Sequence, residues 1–117
     1  MSYLKKESTD NDGEIVITYE EYNDLNNLTN RYSKKRNLLH GLFEIYRRNG
    51  NKFLKTNYIN GRIDGEYKEW YDNNQIYIDC YIKDDDILKY KIYDYDGNIL
   101  HKSLDEKMFA IYELFNF

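Results

Sequence analysis

Aromatic and apolar positions recur along this chain at a nearly fixed interval. A shift of 24 residues lays Gly41 on Gly65, Phe43 on Tyr67, Tyr46 on Trp70 and Gly50 on Asn74. A further step of 23 carries Tyr67 to Tyr90, Trp70 to Tyr93 and Asn74 to Gly97. Three copies in register, at almost constant period, are the mark of a repeat array. The runs FEIYR, YKEWY and YKIYD are short and rich in aromatic and β-branched residues, which suit a pleated, half-buried surface. The turns RNGN, DNNQ and YDGN follow them, and Asn and Gly tolerate the positive φ that tight hairpins require. Return strands KFLKTNY, QIYIDCY and ILHKS complete each unit. A lone hairpin is marginal in water, so the units must stack or extend one another's sheet. Alternation puts Phe43, Tyr67 and Tyr90 in one column and Tyr46, Trp70 and Tyr93 in another on the opposite face, with Trp70 as a central packing residue.

The flanks read differently. EIVITY predicts a strand over 14–19. Thr18 with Glu21 resembles a capping box, and Tyr22, Leu25 and Leu28 follow at helical spacing, so a short helix is expected over 19–29. Residues 30–41 read as a degenerate half-repeat, because Leu39-His40-Gly41 aligns with Ile63-Asp64-Gly65. Beyond the repeats, Met108, Ile111, Tyr112, Leu114 and Phe115 form a helical stripe. A C-terminal helix within 101–117 is expected there, capping the last hairpin or serving as an amphipathic docking segment. The expected fold is thus mainly β and of one domain: an N-terminal flank 1–37, hairpin repeats over 38–100, and a terminal helix.

Composition adds compartment and charge. The chain of 117 residues has 14 Tyr, one Cys and no Pro. Tyrosine buries a ring and keeps a hydroxyl for water or a partner, which suits half-wet surfaces. A single cysteine cannot form an intramolecular disulfide, and the N-terminal residues show no apolar signal segment. A reducing, intracellular and cytoplasmic setting is expected, with no membrane-spanning segment. Net charge is −4 but unevenly spread: residues 1–30 sum to −5, 31–62 to +8 and 63–117 to −7. The central basic block either pairs with its acidic flanks or forms a face for an anionic partner.

The stretches NGRIDGEYKEWYDNNQIYIDCYI and HGLFEIYRRNGNKFLKTNYING resemble the MORN family, the membrane occupation and recognition nexus repeats. The variant they are most similar to occurs in antitoxin-like bacterial proteins and in proteins of large DNA viruses. Tyr58, Asn60, Gly61, Gly65, Tyr67, Trp70 and Tyr71 carry the likeness, over residues 38–100. Asn74 replaces the turn Gly in the middle unit, and Leu88 replaces the leading Gly in the third, which puts the geometry of that third start in question. The resemblance implies an extended, twisted antiparallel sheet of hairpins that binds or scaffolds proteins.

Candidate chemistry is sparse. Arg31, Lys34, Lys35, Arg36, Arg47, Arg48, Lys52, Lys55 and Arg62, interleaved with tyrosines, could hold a nucleic-acid backbone or anionic lipid headgroups; Lys34, Lys35, Arg36, Lys52, Lys55 and Arg62 are the anionic-ligand candidates. Asp94–Asn98 has oxygen donors but lacks a calcium loop's ligand spacing and reads as a turn. His40, His101 and Cys80 are too few for a metal site. Cys80 sits among alternating apolar residues, where a buried thiol is the ordinary state. No catalytic residue, metal or cofactor is expected. The expected role is non-catalytic protein binding through Tyr46, Arg47, Arg48, Tyr71, Tyr77 and Tyr95, with antitoxin-like inhibition of a toxin as an alternative. Homodimerisation by sheet extension is a further expectation.

Overall fold

The computed structural model describes residues 2–103, all within one antiparallel sheet. Nine strands follow one another in chain order: β1 (Ser2–Thr9), β2 (Ile15–Tyr22), β3 (Leu28–Lys35), β4 (Leu38–Tyr46), β5 (Lys52–Ile59), β6 (Arg62–Trp70), β7 (Ile76–Lys83), β8 (Asp86–Tyr93) and β9 (Ile99–Lys102). Each is hydrogen-bonded only to its neighbours in sequence. The three expected hairpins are β4–β5, β6–β7 and β8–β9.

From β2 onward turns of two kinds alternate between the long edges of the sheet; the β1–β2 turn, Asp10–Glu14, is a five-residue turn on the same edge as the β3–β4 turn, with Asp10 N–H reaching Glu14 O at 2.9 Å. On one edge, β3–β4, β5–β6 and β7–β8 are joined by two-residue turns. Both turn residues have positive φ: Arg36 and Asn37 (52° and 63°), Asn60 and Gly61 (49° and 85°), Asp84 and Asp85 (50° and 65°). This conformation matches the right-handed twist of the strands it joins. On the other edge, five-residue turns at 23–27, 47–51, 71–75 and 94–98 share one hydrogen-bond pattern. Their first residue's N–H reaches the fifth residue's carbonyl (Asn23 to Asn27, Arg47 to Asn51, Tyr71 to Gln75, Asp94 to Asn98) at 2.7–3.0 Å. Their fourth residue, Asn26, Gly50, Asn74 or Gly97, has positive φ. Asn74 therefore does the work of the glycine it replaces, because a short amide side chain tolerates the left-handed region.

The helix expected over 19–29 is not formed. Residues 15–22 are β2, residues 23–27 are one of the five-residue turns, and β3 begins at Leu28. The residues read as a capping box serve the sheet instead. Thr18 Oγ1 shares a hydrogen bond with Ser33 Oγ at 2.8 Å, and Glu21 Oε2 accepts from Asn30 Nδ2 at 3.1 Å. Asn23 Oδ1 accepts from the N–H groups of Leu25 and Asn27, which fixes the turn. Pairing with β1 and β3 on either side outweighs an eleven-residue helical pattern that would be marginal alone. The half-repeat expected over 30–41 is in fact divided: residues 30–35 belong to β3, the return strand of a complete fourth unit, β2–β3, and residues 38–41 open β4. β1, which had no counterpart in the sequence reading, adds an edge strand before it. The expected C-terminal helix does not include His101 and Lys102, which lie in β9. Residues 104–117 lie outside the described region, and among the described residues there is no helix.

Directly opposed residues share a face, so the register defines two rows that cross the sheet. One is aromatic and apolar: Tyr19, Tyr32, Phe43, Thr56, Tyr67, Cys80 and Tyr90 are successive partners from β2 to β8. Ring pairs Tyr19–Tyr32 (5.1 Å), Tyr32–Phe43 (6.2 Å) and Phe43–Tyr58 (5.4 Å) run along this side. Thr56 and Cys80 in this row are buried. The other face carries Glu20, Arg31, Glu44, Lys55, Lys68, Asp79, Lys91 and Lys102, again as successive partners. Phe43, Tyr67 and Tyr90 thus share one row. Tyr46 lies with Glu44, and Trp70 with Lys52, on the charged side; Trp70 is half-buried.

Bulges repeat with the units. After the turns at 23–27, 47–51, 71–75 and 94–98 the register skips one residue, Thr29, Phe53, Tyr77 or Leu100. The skip at Tyr77 sets Ile76 across from Trp70, on the face opposite Ile78 and Cys80, although strict alternation along the return strand would put all three on one face. Near the short-turn edge, β4 and β6 each carry two extra residues around a positive-φ glycine, Gly41 (97°) and Gly65 (110°). In β8 the corresponding residue is Leu88, and the register shifts there by one residue only. A side chain that disfavours positive φ has shortened the bulge.

Candidate functional site

The turns at 23–27, 47–51, 71–75 and 94–98 stand side by side and are tied to one another. Asn23 Nδ2 and Asn27 Nδ2 donate to Arg48 O at 2.8 and 3.1 Å, and Arg48 pairs with Asp24 at 3.0 Å. Arg47 Nη2 donates to Trp70 O at 2.9 Å. Tyr71 OH donates to Tyr93 O at 2.7 Å, Asn73 Nδ2 to Tyr95 O at 2.8 Å, and Tyr95 OH to Asp72 Oδ1 at 2.8 Å. Each bond links residues 21–25 apart, one repeat along the chain.

On this edge the structure gathers most of the residues expected to bind a partner. The Tyr71 ring lies 4.8 Å from Tyr77 and 5.4 Å from Tyr95. Arg47 sits over the Phe53 ring at 5.0 Å. Its Nε is buried without a hydrogen-bond partner among the described residues. Tyr95 is half exposed at 51%, and Phe53 and Leu25 are also exposed. The Tyr95 hydroxyl is held above the usual phenol range, first by its hydrogen bond to Asp72. Arg48 belongs to the same edge through Asp24. Phe53 and Leu25 carry the patch beyond the residues expected from sequence. Their signal was their place beside the recurring turns, Phe53 at the bulge and Leu25 at the turn's third position.

Tyr46 stands apart, on the charged face. Its hydroxyl donates to Glu44, and Arg31 holds the same carboxylate at 3.3 Å, so the buried Glu44 has two partners. Burial, with that carboxylate, pushes the Tyr46 phenol up to about 12. Arg31 also reaches Glu20 at 3.6 Å.

The basic block is dispersed rather than concentrated. Lys35 pairs with Asp10 at 2.7 Å and Glu14 at 3.4 Å, and Arg36 pairs with Glu14. The Lys35 ammonium holds the Asp10 carboxyl below the ordinary range, and Arg36 does the same for Glu14. Arg62 lies 3.9 Å from Asp85 at the short-turn edge. Lys34 is on the aromatic face, 6.0 Å from the Tyr19 ring centre. Lys52 lies over the Trp70 ring at 5.3 Å, and Lys55 is exposed beside Lys68 on the charged face.

The remaining candidates have structural surroundings. Asp94 Oδ1 accepts from the N–H groups of Asp96 and Asn98, which holds its carboxyl below the usual range and closes a turn. No group of metal-ligating side chains occurs among the described residues. His40 Nδ1 accepts from Asn60 N at 3.2 Å, His101 faces Ile92, and Cys80 lies between Tyr67 and Tyr90. Burial pushes the Cys80 thiol up, away from the thiolate a nucleophile needs. Among the described residues, no helix is long and apolar enough to cross a membrane. No family model, curated protein or solved structure matches the chain.

Proposed function

We propose that this chain is a non-catalytic protein-binding module, a MORN-like array whose five-residue turns present a tyrosine and arginine surface to a partner. The observation that carries this reading is the contact cluster of Tyr71, Tyr77 and Tyr95 beside Arg47 and Phe53, on turns locked to one another. Tyrosine and arginine dominate binding hot spots because they combine large contact area with hydrogen bonding. Rigid turns lower the entropy lost on association.

Affinity capture from source cells tests the reading, with wild-type chain beside Tyr95→Ala and Arg47→Glu, each checked for β-sheet circular dichroism. One protein retained by wild type and lost with both folded variants is the expected result. An unchanged capture profile with both variants would refute the assignment of this edge.

A further inference from the structure

On the charged face the alternation of charge slips. From β2 the row runs Glu20, Arg31, Glu44, Lys55, so that each charge meets its opposite. Repeat register then calls for an acid at position 68, as at 20 and 44, 24 residues apart. Lys68 stands there instead, directly across from Lys55. Like charges facing each other across a sheet are destabilising. No ion pair joins the acids around them to either lysine among the described residues: Glu44, opposite Lys55, is held by Arg31 and Tyr46, Asp79 stands opposite Lys68, and Asp64 and Glu66 share the groove. A local rule broken without structural gain is where function is to be sought.

The two lysines line an open groove of about 460 Å³. Its walls include Leu42, Lys52, Trp70 and Tyr81, with Asp64 and Glu66 also present. We propose that this groove binds a compact phosphate monoester carrying a planar ring, a mononucleotide in chemical class. The phosphate sits between Lys55 and Lys68, where lysines act as point charges for it. The ring lies against Trp70, taking the place of the Lys52 side chain that covers the indole at 5.3 Å; an indole stacks on any base, and the displaced ammonium stays beside the phosphate. Asp64 and Glu66 disfavour a long polyanion, which argues for a small ligand over a nucleic-acid strand. Trp70 and Lys52 adjoin the turn edge, where Arg47 donates to Trp70 O, but Lys55 and Lys68 lie in mid-strand, so substitutions there test the groove without touching the turn residues.

Trp70 is the sole tryptophan and reports on the groove directly. Its fluorescence is titrated with AMP, with adenosine and with a short single-stranded oligonucleotide, in wild type, Lys55→Gln and Lys68→Gln. Folding of each variant is verified by circular dichroism. A saturable change with AMP, competed by inorganic phosphate and weakened about fivefold or more by each substitution, is the expected outcome. Three results would overturn the proposal: no saturation up to about 10 mM AMP, equal binding of adenosine and AMP, or affinity unchanged in both variants. Oligonucleotide binding more than about tenfold tighter than AMP would overturn it in favour of a nucleic-acid strand.

Discussion

The two faces of this sheet are built from the same repeat, yet they are held by different forces. On one face, successive strands place ring on ring from Tyr19 to Phe43 and Tyr58. Its mid-row encloses Thr56 and Cys80, and Thr56 Oγ1 donates to Glu66 O at 2.8 Å. On the other face, successive strands place charge on charge, with a locked triad Glu20–Arg31–Glu44 at one end and opposed lysines in the middle. Apolar packing is non-directional and tolerates drift in the repeat. A row of charges depends on sign at every step, so one altered residue changes what that stretch can do. The aromatic face is where stability accumulates, and the charged face is where units became different.

Substitutions should separate the two. Tyr67→Ala, between Thr56 and Cys80, should cost about 3 kcal/mol in urea unfolding. Tyr67→Phe, which keeps the ring and loses the hydroxyl bonded to Glu69, should cost about 1 kcal/mol. Equal losses from both would mean that the hydroxyl, not the ring, holds this face.

On the charged face, Glu44→Ala strands the Tyr46 hydroxyl and part of the Arg31 guanidinium, and should cost about 2 kcal/mol. Burial of Tyr46, together with the same contact, has a pH signature. The folded Tyr46 pKa of about 12 lies above the ordinary phenol value of 10.0. A raised folded pKa contributes stability that is fully present below the unfolded value and lost as pH rises through the folded one. Stability should therefore fall between pH 10.0 and about 12, followed by tyrosinate absorbance and thermal unfolding, and Tyr46→Phe should make that fall shallower, with the remainder belonging to Tyr67, whose phenol burial pushes higher still.

The smallest effect has the opposite sign. Lys55→Gln removes one of two facing ammonium groups and should raise stability by about 0.3 kcal/mol, less at high salt. A loss of stability on this substitution would show that Lys55 is part of the frame rather than a departure from it.

Much of the hairpin array was legible because its cues are local. Asn60-Gly61 and the fourth positions Gly50, Asn74 and Gly97 mark turns whatever surrounds them. The fourth unit was also written in the chain: Tyr19, Tyr22 and Asn26 stand 24 residues before Phe43, Tyr46 and Gly50. A helical spacing of Tyr22, Leu25 and Leu28 competed with it, and Asn26 in place of Gly weakened the turn cue. β1 was hidden because SYLKKEST is exposed throughout and carries no buried alternation. The charged row could not be read from spacing alone, since which lysine faces which depends on bulges at Phe53 and around Gly65. The gathering of Tyr71, Tyr77 and Tyr95 depends likewise on turns standing one repeat apart.

Strict strand order has a consequence for how such a chain is made and altered. Every junction is between sequence neighbours, so the sheet can zip up from the ribosome as each hairpin emerges, without waiting for distant segments. By the same token, excision or duplication of one 24-residue block would reseal with familiar surfaces on both sides. Length is then a freely adjustable property of this architecture, and individuality resides in the few positions where one block has ceased to copy the last.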